Sequence, residues 1–498
     1  MEVKFNKIQL PCLRPVVSQV QTREETLELR LSDGMPDIGK VLGCWGQVLL
    51  RGKEWHDTSA CANAGVMVWV LYGPEDGSDP RVVEGWIPVQ GRWELPEESR
   101  EGILTVQPWL SGLDGRNVSA RKLMLRAEVS MMGSAMKPGK TEISTPMDLP
   151  EDIQLLKKTY PMELPTEQGE KQFNLEEILP LSGGNAKIHR IVCYRLTPAI
   201  VEQKVMANRL LFKGKVFLHL VYLSEDVSLR TWDTEIPFSQ YTEQDLDYGT
   251  NTSAWVMPVL TASELDVADG NLSVKAGIAA QYTIFDQPMV EVTEDAYSPR
   301  RQLTLEREAL YLPSRLDSRM LTVPVQGSAE GEFAKVLDAS NVFQSPFLSA
   351  GENGQELVAR GQAQLMYRDE ESQIRSDSIN WSGRTAFEMD THSKAELWPL
   401  GGMEMNVMPH GDGASIQGEL QMMANIFSGM PIPMVTGMEI GELTEGDPNR
   451  PSVILRRAGE DCLWEMAKKA GSTVEDICRA NHLTGEPEEG KMLLIPIL

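Results

Sequence analysis

Three long stretches of the chain alternate apolar and polar residues strictly. Leu123, Leu125, Ala127, Val129 and Met131 share one parity; so do Leu272, Val274, Ala276, Ile278, Ala280, Tyr282 and Ile284; so do Ile416, Gly418, Leu420, Met422, Ala424 and Ile426. A period of two held over such lengths predicts strands with one buried face, and a helical period does not fit it. An Asp-Gly pair precedes each run (Asp114-Gly115, Asp269-Gly270, Asp412-Gly413), a hairpin-turn signal.

A shorter pattern recurs ahead of each run. Gly65-Val-Met-Val-Trp-Val-Leu-Tyr72 is followed by a turn at Pro74–Gly77 and then Trp86-Ile-Pro-Val89. Gly214-Lys-Val-Phe-Leu-His-Leu-Val-Tyr222 is followed by Ser224-Glu-Asp226 and Glu235-Ile-Pro-Phe238. Gly361-Gln-Ala-Gln-Leu-Met-Tyr367 has a turn at Arg368–Glu371 but no Ile-Pro element. The glycines lie 149 and then 147 residues apart, so tandem domains of similar size are predicted. The fold class is mainly β: three tandem antiparallel β sandwich or barrel-like domains at 1–160, 161–312 and 313–446. Pro, Gly and charge gather at Thr159–Glu170, Leu312–Asp317 and Gly441–Pro451, which read as linkers, the last polar enough to flex.

The last segment, 451–498, has another rhythm. An apolar run (Val453, Ile454, Leu455) leads to a turn at Ala458–Glu460 and a helix with Leu463, Met466, Ala467 and Ala470 on one face. Gly471 ends that helix, and Thr473 caps a second one that buries Val474, Ile477 and Cys478, with Asp476 three residues after the cap. A polar loop then leads to a strand from Met492 to Ile495. The order is βααβ. This stretch resembles a LysM domain through Asp461-Cys-Leu-Trp464, Ala467-Lys-Lys, Thr473-Val-Glu-Asp-Ile477, Ala480-Asn-His-Leu483 and Gly490-Lys-Met-Leu-Leu-Ile-Pro496. One position departs: Glu460 stands where the family has Gly, with Gly459 one residue earlier.

The resemblance implies a functional surface on the two loops flanking the helices, here Glu460, Asp461, Cys462 and Leu463 with Asn481, His482, Leu483 and Thr484. In the family these loops form a shallow groove for N-acetylglucosamine chains; a protein-docking face at the same place is the other reading. Trp464 is read as module core rather than a sugar-stacking platform. The tandem β units followed by a LysM-like module also resemble the SPOCS-domain proteins of spore-coat assembly in endospore-forming Firmicutes, on the Gly…Val-Tyr strand and Ile-Pro-Phe. That resemblance implies a non-enzymatic scaffold in the mother-cell cytoplasm at the forespore surface. Its implied partner is the coat's morphogenetic ATPase, with the LysM module making much of the contact.

Composition narrows the alternatives. Lys plus Arg is 47 and Asp plus Glu 72, a net charge of −25, which argues against nucleic-acid partners and anionic membrane surfaces. No signal-peptide pattern opens the chain and no run approaches a membrane span, so no membrane insertion is expected. Cys12, Cys44, Cys61, Cys193, Cys462 and Cys478 form no CxxC pair and read as reduced thiols of a cytosol. The sequence holds no GxxxxGK[ST], HExxH or GxSxG motif, and its six histidines fall at no ligand spacing, so no catalytic residues, cofactor or metal are expected. Peptidoglycan glycan strands remain the alternative partner, for a wall- or cortex-associated protein. A weaker reading, a glycan-processing β unit, requires carboxylates facing each other across a cleft.

Overall fold

The computed structural model describes all residues except 182–187, 269, 352–353, 372, 402, 411–412, 445–450 and 460, and leaves aside the side chains of 245, 246 and 404. It is mainly β. The first set of strands is β1 (Phe5–Arg30), β2 (Ile38–His56), β3 (Ser59–Pro74), β4 (Arg81–Glu94), β5 (Ile103–Ser119) and β6 (Lys122–Pro146). The second is β7 (Gln154–Pro161), β8 (Leu164–Pro180), β9 (Ile188–Ser224), β10 (Leu229–Tyr248), β11 (Thr252–Ala268), β12 (Asn271–Asp286) and β13 (Met289–Tyr297). The third begins with β14 (Arg301–Leu310), β15 (Arg315–Glu330), β16 (Lys335–Phe343), β17 (Phe347–Gly351) and β18 (Gly354–Arg368). It continues with β19 (Ile374–Ala386), β20 (Lys394–Pro399), β21 (Glu404–His410), β22 (Gly413–Phe427) and β23 (Ile432–Leu443). After these come β24 (Val453–Arg457), α1 (Leu463–Ala470), α2 (Val474–Asn481) and β25 (Met492–Pro496).

Within each set the first strands pair antiparallel with the last. β1 runs along β6 from Phe5↔Pro146 to Arg30↔Lys122. β7 pairs β13 and β8 pairs β12; β14 pairs β23 and β15 pairs β22. In the first set the middle strands form a sheet of their own, β2-β3-β4, whereas in the third β16-β18-β19 continues through β15 into β22 and β20 as one eight-stranded sheet. In the second set β9 takes the place of two strands: Ala207 has a left-handed φ of 50°, and the Ala199 carbonyl lies against Gly214, so the strand folds back on itself. Inward parity matches the alternation in the sequence. Leu123, Leu125, Ala127, Val129 and Met131 are buried, as are Leu272 through Ile284 at every second position.

Pairing runs across the expected cuts. β7 straddles the cut at 160 and pairs with β13, and β14 lies before 312 yet pairs with β23. Thr159–Glu170 is not a linker: β7 and β8 occupy it apart from Met162 and Glu163. Leu312–Asp317 runs from the break between β14 and β15 into the first residues of β15, where Arg315 is buried, 2.8 Å from Glu163 and stacked on Phe285. Pro161 with Pro288 in the second set, and Pro313 with Pro431 in the third, fall where the ribbon passes from one strand pair to the next and not at its end. Asp114-Gly115 also differs from expectation, since it lies inside β5 opposite Arg126 and Leu125, and the turn comes at 120–121. Asp269 and Asp412 lie outside the described residues.

Register corrects two repeat assignments. Phe238 faces Gly214 and Trp381 faces Gly361, each ring lying where a Cβ on the glycine would be about 2.4 Å away. In the first set the residue opposite Val89, where those partners stand, is Ala64 and not Gly65. The third set keeps the element thought lost, because Ile379-Asn380-Trp381 occupies the register of Ile236-Pro237-Phe238 and only the proline is missing.

The kinked ends of the three ribbons pack together around Cys12, Ile143, Val292, Leu310 and Met434. The sheets meet along seams. Trp109 donates to the Phe343 carbonyl at 3.0 Å between the first and third sets, and Trp255 meets Trp398 at 5.0 Å between the second and third. Gln281 brackets the Val106 backbone, accepting at 2.9 Å and donating at 2.8 Å. Glu396 lies in the seam between the third and first sets, accepting from Ser134 at 2.7 Å. Burial pushes its carboxyl up, and hydrogen bonds from Ser134, Ser18 and Trp398 only partly offset this. A carboxyl raised on folding contributes fully below its unfolded pKa of about 4.3, and the contribution is lost as pH rises through the folded value. Glu396→Gln is therefore expected to raise the urea midpoint at pH 8 relative to the parent, and to leave it unchanged near pH 4.

Candidate functional site

The expected site lies on the C-terminal segment, where β24 and β25 pair antiparallel from Val453↔Pro496 to Arg457↔Met492. Leu463, Met466, Ala467, Ile477, Leu493 and Ile495 form the small core between these strands and the helices. Gly471 ends α1 in a left-handed conformation at φ 66°, which glycine adopts without strain. Thr473 caps α2, its hydroxyl accepting from the Asp476 N–H at 3.0 Å.

Glu460 lies outside the described residues. Asp461 bonds Arg456 and accepts from Lys469 at 2.8 Å, and these cations, Lys469 first, hold its carboxyl below the usual range. Cys462 is exposed at the start of α1 and offers no side-chain cap. Glu486 supplies the cap, accepting from the Leu463 N–H at 3.0 Å and so tying the two loops together. The sequence reading missed Glu486; its signal is a carboxylate placed to meet a helix N-terminus. Leu463 is buried in the core. Asn481 is committed to structure, donating to the Leu494 carbonyl at 2.6 Å and accepting from its N–H at 2.7 Å. His482 caps α2 with a φ of 53° and an exposed side chain, Leu483 packs against the core and Thr484 is exposed. The structure therefore brings the two loops together while leaving Cys462, His482 and Thr484 as the outward residues of the expected set.

Trp464 does more than fill the module. Its ring meets Tyr297 edge-on at 4.7 Å, and its Nε1 donates to Asp295 at 2.9 Å. Lys468 donates to the same carboxylate at 2.6 Å, Arg307 also bonds it, and the Tyr297 hydroxyl donates to the Ser472 carbonyl at 3.0 Å. Burial is the largest influence on Asp295 and pushes its carboxyl up, but the bonds from Lys468, Trp464 and Arg307 outweigh it and hold the group ionised. Burial, with Asp295 nearby, pushes the Tyr297 hydroxyl up to about 12. The module is thus fastened through α1 to β13, a contact that separates residues 169 apart in the chain and had no sequence signal.

Elsewhere a cleft of about 770 Å³ opens between β3, β4 and β11, lined by Arg51, Trp86, Asn63, Gln90, Met67 and Glu25 among others. Among the described residues of that lining Glu25 is the carboxylate. All six cysteines are free thiols, and no helix among the described residues is long and apolar enough to cross a membrane. Comparisons with family models, curated proteins and solved structures gave no match to this chain.

Proposed function

We propose that this chain is a non-enzymatic scaffold of endospore coat assembly, built from three SPOCS-like β units and a LysM-like module. In this reading the module docks a coat morphogenetic ATPase at the forespore surface, on the mother-cell side. The supporting observation is how the candidate face is used. Stacking on a neutral sugar calls for an open aromatic plane and free amide groups, but Trp464 is turned onto Asp295 and the Asn481 amide is committed to β25. Docking to a protein through an exposed loop pair needs neither.

The test uses the full-length chain in two assays: sedimentation with purified peptidoglycan, and capture of the purified ATPase across a salt series. No saturable sedimentation is expected. Capture is expected to change markedly with ionic strength, because a chain of net charge −25 meets a protein partner through screened electrostatics. Saturable sedimentation competed by chitin oligomers, together with absent capture, would replace this reading with wall binding.

A further inference from the structure

All three strand sets meet at one buried carboxylate. The Asp338 side chain on β16 is 2% exposed and accepts from Trp45 Nε1 of β2 at 2.7 Å. Its other oxygen lies 2.8 Å from Nε2 of His219, in the returning half of β9. The Nδ1 of the same ring lies 2.5 Å from the carboxylate of Asp233 on β10, directly across the ladder. Both ring nitrogens therefore face carboxylate oxygens. The imidazolium carries a proton on each nitrogen and bonds both, whereas a neutral ring sets a lone pair against one of them.

The remaining groups around this point are also on the page. Arg195, in the outgoing half of β9, is the other charge acting on both His219 and Asp338, and it donates to the Ala339 carbonyl at 3.3 Å. Cys193 and Cys44 stand beside the cluster as neutral thiols. Burial pushes the first well up and the second up to about 12.

We propose that His219 is a protonation-dependent bolt across the seam of the three strand sets. Charged, it holds Asp233 of the second set and Asp338 of the third at once, while Trp45 of the first shares the Asp338 carboxylate. Neutral, it releases one of the two carboxylates and the seam loosens. Burial, the largest influence on the ring, disfavours the cation and Arg195 adds to that. The carboxylates, Asp338 foremost, outweigh both and raise the ring above its ordinary 6.5. A raised folded pKa means that the contribution is complete below the unfolded value of about 6.5 and is lost as pH rises through the folded value. The responsive window is therefore neutral to mildly alkaline.

The intact chain, labelled with ¹³C at histidine Cε1, gives six ring signals to follow against pH. The signal missing from His219→Gln is expected to titrate above 6.5, and Asp233→Asn is expected to lower that midpoint. In urea, the advantage of the parent over His219→Gln should shrink as pH rises above about 6.5. A ring that titrates at or below 6.5, or parent and variant midpoints that run parallel with pH, overturns the proposal. Should His219→Gln not fold, Asp233→Asn decides through the ring titration, because Asp233 is largely exposed and its loss spares the core.

Discussion

Trp398→Ala is expected to destabilise the chain by about 3–5 kcal/mol, the range for removing a fully buried indole. The ring is 0% exposed, lies 5.0 Å from Trp255 at 58°, and donates to Glu396 at 3.3 Å. Truncation would leave a void in the seam between the second and third strand sets and remove one donor from a buried acid. Trp398→Phe, which refills part of the space, should recover roughly half of the loss. Urea denaturation followed by circular dichroism reads the difference. A loss below about 1 kcal/mol would mean that this seam is not the packed junction described.

The second large effect concerns the latch on the C-terminal module. Asp295→Ala removes the acceptor shared by Trp464, Lys468 and Arg307 and leaves two cations and an indole N–H without it. Asp295 is buried, but Lys468 and Arg307 are 34% and 46% exposed and can turn to water, so the loss is about 1.5–3 kcal/mol, roughly a ten- to hundredfold rise in the undocked fraction. Hydrogen exchange should therefore quicken in α1 and β13 together while the strands of the first set keep their protection. The latch also has an acid limit. Because its carboxyl is held below its unfolded value, its contribution is present above about pH 4 and is lost as pH falls through the folded value. The same exchange signature should thus appear in the parent chain below about pH 4. Unchanged exchange in the variant would mean that the module is held by Tyr297 and apolar contact alone.

What could be read in the sequence was what has a period. Strict alternation located β6, β12 and β22 and assigned their buried faces, because a half-buried strand must alternate. The cap at Thr473 and the stop at Gly471 were legible for the same local reason. The misreadings came where a local signal had two tertiary outcomes. Pro161 and Pro313 break a strand whether the chain leaves the domain or only kinks, and here it kinks. Asp114-Gly115 fits a turn, but the Cys44 side chain packs where a Cβ on Gly115 would stand, so the glycine serves close packing within β5. Of the candidate site, the loop pair was legible from the family pattern. The commitment of Asn481 to β25 and of Trp464 to Asp295 was not, since each depends on a partner that periodicity cannot name.

The pairing of first strand with last sets a timetable for the growing chain. β1 is 26 residues long, and its partner β6 is complete only at Pro146. At about 5–20 residues per second, that long strand stays without its ladder for several seconds after it leaves the ribosome. Each later set repeats the wait, and the bond from the Val3 N–H to the Met438 carbonyl forms only when the third set closes. Such non-local closure predicts slow folding and an exposure to mispairing that grows with the crowding of nascent chains. A ribosome stalled before residue 146 would hold β1 as an open edge, available to the β6 of a neighbouring copy.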